Sequence, residues 1–201
     1  MNLWIVLAVA LPIVAIGAIF AIVVYNRLQR LRVNCENAFA QIELQLKRRY
    51  DLIPNLVECV KSYMAHEKDT LERVIAARNQ AADRLKQASQ DQNNADAMET
   101  WLGAEGNLTG ALGRLTATIE SYPKLKADKS VSRLTEELTS TENRIAFARQ
   151  AYNDWVTGFN TSHVTFPSCL VSGSLGFSRD RKHLEFAEGA KLAEAPRVVL
   201  A

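Results

Sequence analysis

The amino-terminal stretch of this chain is long, apolar and uncharged. The first twenty-six residues contain no Lys, Arg, Asp or Glu, and nearly every side chain from Leu3 to Val24 is apolar. A helix of this length covers roughly 30 Å, which is the thickness of the hydrocarbon core of a bilayer. Pro12 and Gly17 are tolerated in such helices. The stretch therefore predicts a transmembrane helix.

A cleaved secretory signal is the alternative interpretation of the same stretch. Such a signal needs a basic start, a shorter apolar core and small residues at the cleavage site. The chain starts with Met1-Asn2, without a basic residue, and the apolar run ends in the bulky residues Val23-Val24-Tyr25. We therefore interpret residues 1–26 as an uncleaved anchor.

Basic residues follow the anchor directly. Arg27, Arg30 and Arg32 have no acidic residue among them. Because the basic flank of a membrane helix stays in the cytoplasm, this pattern predicts a single-pass protein with its amino terminus outside and its remaining residues in the cytoplasm.

The composition beyond the anchor limits the function classes. About 175 residues remain, which is enough for one domain with its own core. The formal net charge is only +2, so the chain lacks the basic character of a nucleic-acid-binding protein. Cys35, Cys59 and Cys169 have unrelated spacings, which fits a reducing compartment.

Apolar residues recur at intervals of three and four in four later segments, which predicts four amphipathic helices. The first continues out of the bilayer, and its stripe stays in phase beyond Pro54. This favours a kink there, although a new helix starting at that proline stays open. The second helix starts at a capping box at Asp69. Pro123 ends the third, and the fourth starts near Asp128 or Ser130.

Four such helices with short connections bury their stripes against one another. We therefore predict an all-α fold, in which an N-terminal transmembrane helix continues into an antiparallel up-down four-helix bundle with an irregular C-terminal tail. The predicted parts are the anchor (1–26), the bundle (27–163) and the tail (164–201). The fourth helix returns toward the membrane, so Phe159 and later residues should lie near the bilayer surface.

Glycines are concentrated in the third helix. Gly103, Gly106, Gly110 and Gly113 each cost about 1 kcal/mol of helix propensity relative to Ala. We expect them to let a neighbouring helix approach closely.

The tail is rich in Gly, Ser and Pro between Phe166 and Phe177, which predicts a loop and not a helix. Its apolar residues are followed by basic ones, a combination suited to anionic headgroups or a partner. Docking of the aromatic residues on the end of the bundle is the favoured alternative. The candidate contact residues are Phe166, Leu170, Phe177, Arg179, Arg181 and Lys182.

Patterns typical of catalysis are incomplete. His66-Glu67 begins like a zinc-protease motif, but the second His is missing. The glycines between Ser172 and Gly176 have the wrong spacing for a hydrolase elbow. We therefore predict a protein that is not an enzyme and has no metal site and no cofactor.

One polar constellation joins the first and fourth predicted helices. The commoner use of such residues is an interhelical ion-pair network that fixes register, and the functional alternative is a binding site for a charged ligand or peptide. The cluster consists of Arg48, Arg49, Asp51, Glu137, Glu142 and Arg144.

Three segments resemble the LemA family. They are Glu36–Val57 (ENAFAQIELQLKRRYDLIPNLV), Glu142–Gln150 (ENRIAFARQ) with the following Tyr152-Asn153, and the tail pairs Phe166-Pro167 and Gly176-Phe177. The resemblance implies a single-pass protein of the bacterial inner membrane whose soluble part is a helical bundle. It implies no activity, although some members are encoded near membrane proteases.

These observations predict a non-enzymatic, membrane-anchored scaffold or adaptor. Its expected partners are the lipid bilayer, further copies of itself and another membrane protein, which it organises or regulates. A ligand sensor with a charged site in the bundle core is the alternative. A hydrolase using His66, His163 and His183 ranks last.

Overall fold

The computed structural model describes residues 3–92, 94–177 and 180–185, and these ranges contain helices and no β-strand. The all-α prediction is confirmed. The six helices are α1 (Leu3–Lys61), α2 (Lys68–Gln90), α3 (Ala95–Ser121), α4 (Pro123–Lys126), α5 (Lys129–Val164) and α6 (Cys169–Ser172).

Polar side chains cap two of the long helices. The Asn94 side chain accepts hydrogen bonds from the backbone N–H groups of Asp96 and Ala97 at the start of α3. The Asp128 carboxylate accepts from Ser130 and Val131 at 2.8 and 3.2 Å, which satisfies amide groups that have no partner inside α5. The predicted start of this helix near Asp128 is confirmed.

Pro54 lies inside α1, which continues to Lys61. A proline has no N–H to donate to the carbonyl four residues earlier, here that of Tyr50. Arg78 of α2 donates from Nε to this carbonyl at 3.0 Å. The helix therefore passes the proline with its freed carbonyl satisfied by another element.

The chain forms two compact units, and both α1 and α5 contribute to each of them. Among the described residues, one unit combines 3–39 with 150–177 and 180–183, and we call it the anchor unit. The other combines 40–92, 94–149 and 184–185, and we call it the core unit.

The core unit has an apolar interior supplied by five helices. Helices α2 and α3 pack along each other, and α4 packs on α3. The apolar periodicity of the sequence explains this burial, because one stripe of each helix faces inward. The interior includes Ile42, Leu46, Ile53, Val74, Ala81, Trp101, Leu108, Leu115, Leu125 and Ile145.

In the anchor unit, α1 and α5 run antiparallel. The rings of Phe39 and Tyr152 meet edge to face with centroids 5.8 Å apart. Further along, a Cβ placed on Gly158 would lie 3.8 Å from Cδ2 of Leu31. Later residues of α5 thus lie beside earlier residues of α1.

The part of α1 before these contacts is long and apolar enough to cross a membrane. Within it, large apolar side chains such as Trp4, Leu11 and Ile16 are 67–83% exposed. Exposed apolar surface of this extent is unfavourable in water and favourable in lipid, so the chain is a membrane protein with one candidate span among the described residues.

Within the part of the chain that the structure describes, the glycines of α3 are not sites of close packing. A Cβ built on Gly103, Gly106, Gly110 or Gly113 meets no atom within 4 Å. Among the described residues no neighbouring helix approaches them, and approach by a helix of another subunit stays a prediction. Because the buried residues of α3 occupy the opposite side of the helix, these glycines form a stripe that faces open space.

The tail contains a helical turn where the sequence predicts only a loop. This turn is α6, and its amide groups bond to carbonyls of the preceding residues. Gly176 then reverses the chain with a φ of 86°, which a side-chain-bearing residue rarely adopts. The Phe177 amide donates to the Ser172 carbonyl at 3.0 Å. Residues 186–201 of the predicted tail lie outside the described residues.

Candidate functional site

Arg49 is the centre of a polar network in the core unit, and only 3% of the residue is exposed. Its Nη1 lies 3.0 Å from the Glu142 carboxylate of α5 and 3.4 Å from the Glu105 carboxylate of α3. Its Nη2 donates to the Thr109 hydroxyl at 3.0 Å. One guanidinium thus links three helices, and its planar fork suits this role better than an ammonium group would.

Glu105 is fully buried, and both of its carboxylate oxygens have protein partners. Oε2 faces Arg49, while Oε1 accepts a hydrogen bond from the Tyr50 hydroxyl. Burial raises the pKa of Glu105, and the hydrogen bond from Tyr50 and the charge of Arg49 only partly oppose this effect. Burial likewise raises the pKa of the Tyr50 hydroxyl, and the neighbouring carboxylate adds to the increase.

The structure brings two members of the predicted polar cluster together, Arg49 and Glu142. Arg48 and Arg144 are exposed. Each differs from its inward-facing neighbour by about 100° of helical rotation, which directs it to solvent.

The two remaining members of that cluster have partners elsewhere. Asp51 lies 3.7 Å from Nη2 of Arg78, on the α2 side of α1. Glu137 pairs with Arg133 one turn earlier on the same helix, at 3.4 Å. Arg49 and Glu142 therefore share one contact, to which the described contacts of Asp51 and Glu137 do not belong.

The cluster predicted from the sequence did not include Glu105. A signal was present: Glu105 follows Trp101 by four positions and precedes Leu108 by three, so it lies on the apolar stripe of α3. An acidic side chain at such a position is either buried with the apolar residues or interrupts the apolar surface of the helix. Its partner could have been sought among basic residues on the stripes of the other helices.

An open groove of about 560 Å³ lies between α1 and α2 in the core unit. Arg78 crosses it, with its guanidinium carbon 5.9 Å from the centroid of the Tyr50 ring. Basic and acidic groups are balanced along the walls. The lining consists of Glu43, Lys47, Tyr50, Asp51, Arg78, Ala82, Asp83, Leu85, Lys86 and Ser89.

In the anchor unit, Asn160 of α5 clamps the tail. Its Nδ2 donates to the Arg181 carbonyl, and its Oδ1 accepts from the Arg181 amide, both at 2.9 Å. The Arg181 side chain donates from Nη2 to Glu36 at 3.2 Å and stacks 5.7 Å from the Phe159 ring centroid. Backbone and side chain of Arg181 are thus both held.

Buried polar groups near this clamp also have partners. His163 Nε2 lies 2.8 Å from Asp180 Oδ1, and the His163 carbonyl accepts from the Ser172 hydroxyl at 2.9 Å. Burial raises the pKa of the Cys35 thiol, which disfavours the thiolate needed for nucleophilic attack. Burial also raises the pKa of Tyr152 to about 12.

The predicted tail contacts fall into two groups. Phe177 and Arg181 are 6% exposed and pack inside the anchor unit, as the favoured docking alternative expects of Phe177. They are buried because Phe177 packs against the Tyr25 and Phe159 rings and Arg181 pairs with Glu36.

Three other predicted contact residues are exposed on the surface. Phe166 and Leu170 are 74% and 69% exposed, and Lys182 is also exposed. Arg179 lies outside the described residues.

The contacts described for these groups stabilise the fold. Within residues 3–92, 94–177 and 180–185, no three His, Cys, Asp or Glu side chains are grouped to hold a metal ion. Glu105 has a raised pKa, as a general acid often does, but it is fully buried and a substrate cannot reach it.

Several known proteins are similar to this chain. Magnetosome protein MamQ of Magnetospirillum gryphiswaldense is 24% identical over 170 residues, which is 77% of this chain and 62% of that protein. Magnetosome protein MamQ 2 of Paramagnetospirillum magneticum is also 24% identical over 170 residues, which is 77% of this chain and 62% of that protein. Protein LemA of Metamycoplasma hominis is 26% identical over 150 residues, or 75% of this chain and 64% of that protein.

The chain spans less than two thirds of the length of these relatives. Neither the name MamQ nor the name LemA describes a catalytic activity. The LemA family profile matches residues 38–199, which include α2 to α6, most of α1 outside the candidate span, and the Arg49 network. This match extends over most of the sequence, and we conclude that the chain belongs to the LemA family.

Proposed function

We propose that this protein is a non-enzymatic, membrane-anchored helical scaffold that self-associates and organises other membrane proteins. The observation that carries the proposal is the Arg49 network. Glu105, whose pKa burial raises, is enclosed and bonded to its neighbours. A buried, satisfied network of this kind fixes helix register and leaves no reactive group for a substrate.

We further propose that residues 27–163 form an antiparallel up-down four-helix bundle, with residues 164–201 as its tail. The network supports this topology, because Arg49 of α1 bonds to side chains of both α3 and α5. Packing of α2 on α3 supports it as well.

The proposed orientation has the amino terminus outside the inner membrane of a bacterium and the bundle in the cytoplasm. Arg27, Arg30 and Arg32 support it, since all three are exposed immediately after the apolar segment. Protease treatment of right-side-out vesicles tests it. We expect the body of the chain to survive, and its digestion would reverse the proposed orientation.

Self-association is supported by the glycine stripe of α3. A stripe without side chains lets a second helix approach closely, and no atom of the described chain occupies this space. The proposed contact is α3 against α3 of a second copy.

Crosslinking in native membranes, followed by sizing of the products, tests this contact. We expect oligomers of the wild-type chain and loss of most of them in Gly110→Leu, because a leucine would hold the helices apart. The matched control is Thr116→Leu, at an exposed position of α3 outside the stripe. A strictly monomeric wild-type chain with no captured neighbour would remove the scaffold proposal.

A ligand sensor is the second candidate, and the groove between α1 and α2 favours it. Lys47, Arg78 and Lys86 could bind an anionic group there, while the Tyr50 ring supplies an apolar face. Thermal-shift measurements on the detergent-solubilised chain with charged metabolites test this function. A shift that Lys47→Ala abolishes would support it, and no shift with any class of metabolite would exclude it.

A further inference from the structure

The contacts between α1 and α5 in the anchor unit have a regular antiparallel register. Tyr152 meets Phe39, and Gly158, six residues later, faces Leu31, eight residues earlier. Continuing for six more residues of α5 brings its end, at Val164, level with residues 23–25 of α1. Tyr25 directly follows the apolar segment of α1.

Burial along α1 changes at the corresponding level. From Ala10 to Ile19 every residue of α1 is exposed, whereas Phe20 and Ala21 are half-buried and Val24 is buried. The chain therefore covers the last turn of the apolar segment. Phe177 takes part in this cover, with its ring centroid 5.8 Å from that of Tyr25.

One long segment at this end of the anchor unit is free of formal charge. Residues 155–177 contain no Lys, Arg, Asp or Glu, and the carboxylate that lies against this segment, Asp180, contacts His163 at 2.8 Å. An uncharged stretch of this length is unusual for a water-exposed surface in a chain that is 23% charged. It suits an environment in which charged groups are costly.

Large apolar side chains project outward from the same end. Val164 is 60% exposed, Phe166 74% and Leu170 69%. By contrast, the neighbouring Phe159 and Phe177 are packed inside the unit. The exposed residues are thus an outward-facing group, which we call the apolar tip.

We propose that the apolar tip inserts into the boundary between the headgroups and acyl chains of the bilayer that α1 crosses, as a second, shallow membrane contact. The occupant of this surface is phospholipid, because the register places the tip beside the end of the apolar segment. The exposed Arg27 and Arg30 lie next to that segment in sequence, where they can meet anionic headgroups. This inference rests on the proposed membrane anchoring by α1.

The exposed Cys169 lies within the tip and permits a direct test. A fluorescent NBD label is attached to Cys169 in the full-length Cys59→Ser chain, because Cys35 is buried and protected. The labelled chain is reconstituted into phosphatidylcholine–phosphatidylglycerol vesicles that contain lipids spin-labelled at acyl carbon 5 or carbon 12. Aqueous iodide serves as the opposing quencher.

We expect the shallow spin label to quench more strongly than the deep one, and iodide quenching to be about threefold weaker than at a water-exposed control site. The control is Ala151→Cys in a Cys59→Ser, Cys169→Ser chain. Ala151 is exposed on α5, and it lies about 20 Å before Val164 along that helix. We also expect Leu170→Asp to make the Cys169 label accessible to iodide, with unchanged circular dichroism.

The outcomes separate this proposal from the one on which it rests. If alkaline extraction removes the chain from the vesicles, membrane anchoring fails and the tip proposal fails with it. If the chain is retained but the Cys169 label is as accessible to iodide as the control, only the tip proposal is overturned. The label could instead be protected from iodide without being quenched by either spin label. Together with Cys169–Cys169 crosslinks, this result would overturn the proposal and show that a second copy of the chain covers the tip.

Discussion

Nε of Arg78 donates a 3.0 Å hydrogen bond to the backbone carbonyl of Tyr50, which lies twenty-eight residues earlier in the chain. This carbonyl is the one that Pro54 deprives of its helical donor. The side chain of α2 therefore replaces a backbone amide of α1. This relationship explains how a helix of 59 residues continues through an interior proline.

Replacing Arg78 tests this explanation. Arg78→Met keeps much of the side-chain length but leaves the Tyr50 carbonyl without a donor. Since an unsatisfied buried polar group costs about 1–3 kcal/mol, we expect a loss of that size in the free energy of unfolding. Urea unfolding of the full chain in detergent, followed by circular dichroism, measures it.

Pro54→Ala provides the matching control, because alanine restores the amide that donates to Tyr50. In the Pro54→Ala background we expect Arg78→Met to cost less than it does in the wild-type chain. Equal costs in the two backgrounds would mean that Arg78 acts through Asp51 or the Tyr50 ring, and not through the carbonyl.

The Arg49 network makes a second prediction about stability. Arg49→Met leaves Glu105 buried without its cationic partner, and we expect a loss of about 3–5 kcal/mol in unfolding free energy. Adding Glu105→Gln removes the orphaned acid and keeps an acceptor for the Tyr50 hydroxyl. The double variant should therefore recover most of the loss in the same unfolding assay. Additive losses would show that the two residues are not coupled.

Glu105 also makes stability depend on pH. Burial holds its folded-state pKa above 4.5, so the folded chain binds this proton more tightly than the unfolded chain does. The associated stability is fully present below pH 4.5 and is lost as the pH rises through the folded-state pKa. From neutral pH toward 4.5, we therefore expect the wild-type chain to gain stability relative to Glu105→Gln.

Unfolding curves of both chains across this pH range measure the difference. A relative loss of wild-type stability on acidification would mean that Arg49 outweighs burial and depresses the pKa of Glu105.

The Asn160 clamp predicts how firmly the tail is held. Asn160→Ala removes two hydrogen bonds to the Arg181 backbone, each worth about 1 kcal/mol. We expect up to about thirtyfold faster tryptic cleavage after Lys182, since the tail opens more often. Asn143→Ala, at an exposed position of α5, should leave the cleavage rate unchanged. Equal rates in all three chains would show that other contacts hold the tail.

The glycine stripe of α3 predicts a stabilising substitution. A Cβ at Gly110 meets no atom of the described chain within 4 Å, so within a single copy alanine adds helix propensity without a clash. In detergent at a dilution that keeps the chain monomeric, we expect Gly110→Ala to raise the unfolding free energy by about 0.5–1 kcal/mol. Gly176→Ala is the contrasting control, because the φ of 86° makes a side chain unfavourable there. A destabilised Gly110→Ala chain would reveal a close neighbour at the stripe.

Periodicity was sufficient to predict the helices and much of the core. Cys35, Ile42 and Ile53 lie on the apolar stripe of the first helix, and all three are fully buried. This succeeds because an amphipathic helix has only one apolar side to bury. The start of α5 was predictable for a similar reason, since a carboxylate cap acts within three residues.

Contacts between distant segments were less accessible. Choosing Glu105 as a partner of Arg49 requires the relative rotation of two helices, which spacing along either one does not give. The bond from Arg78 to Tyr50 is likewise invisible in local sequence, since neither residue adjoins Pro54. In the tail, local composition favoured a loop, but tertiary contacts of Ser172 and Phe177 stabilise a turn of helix there.

The groove between α1 and α2 contains the same guanidinium that completes the α1 backbone. An anion that engaged Arg78 would compete with the Tyr50 carbonyl for this donor. Binding of an anion in the groove and bending of α1 at Pro54 would then be thermodynamically linked. The factor by which a bend changes the affinity for the anion would equal the factor by which the bound anion changes the equilibrium between straight and bent helix.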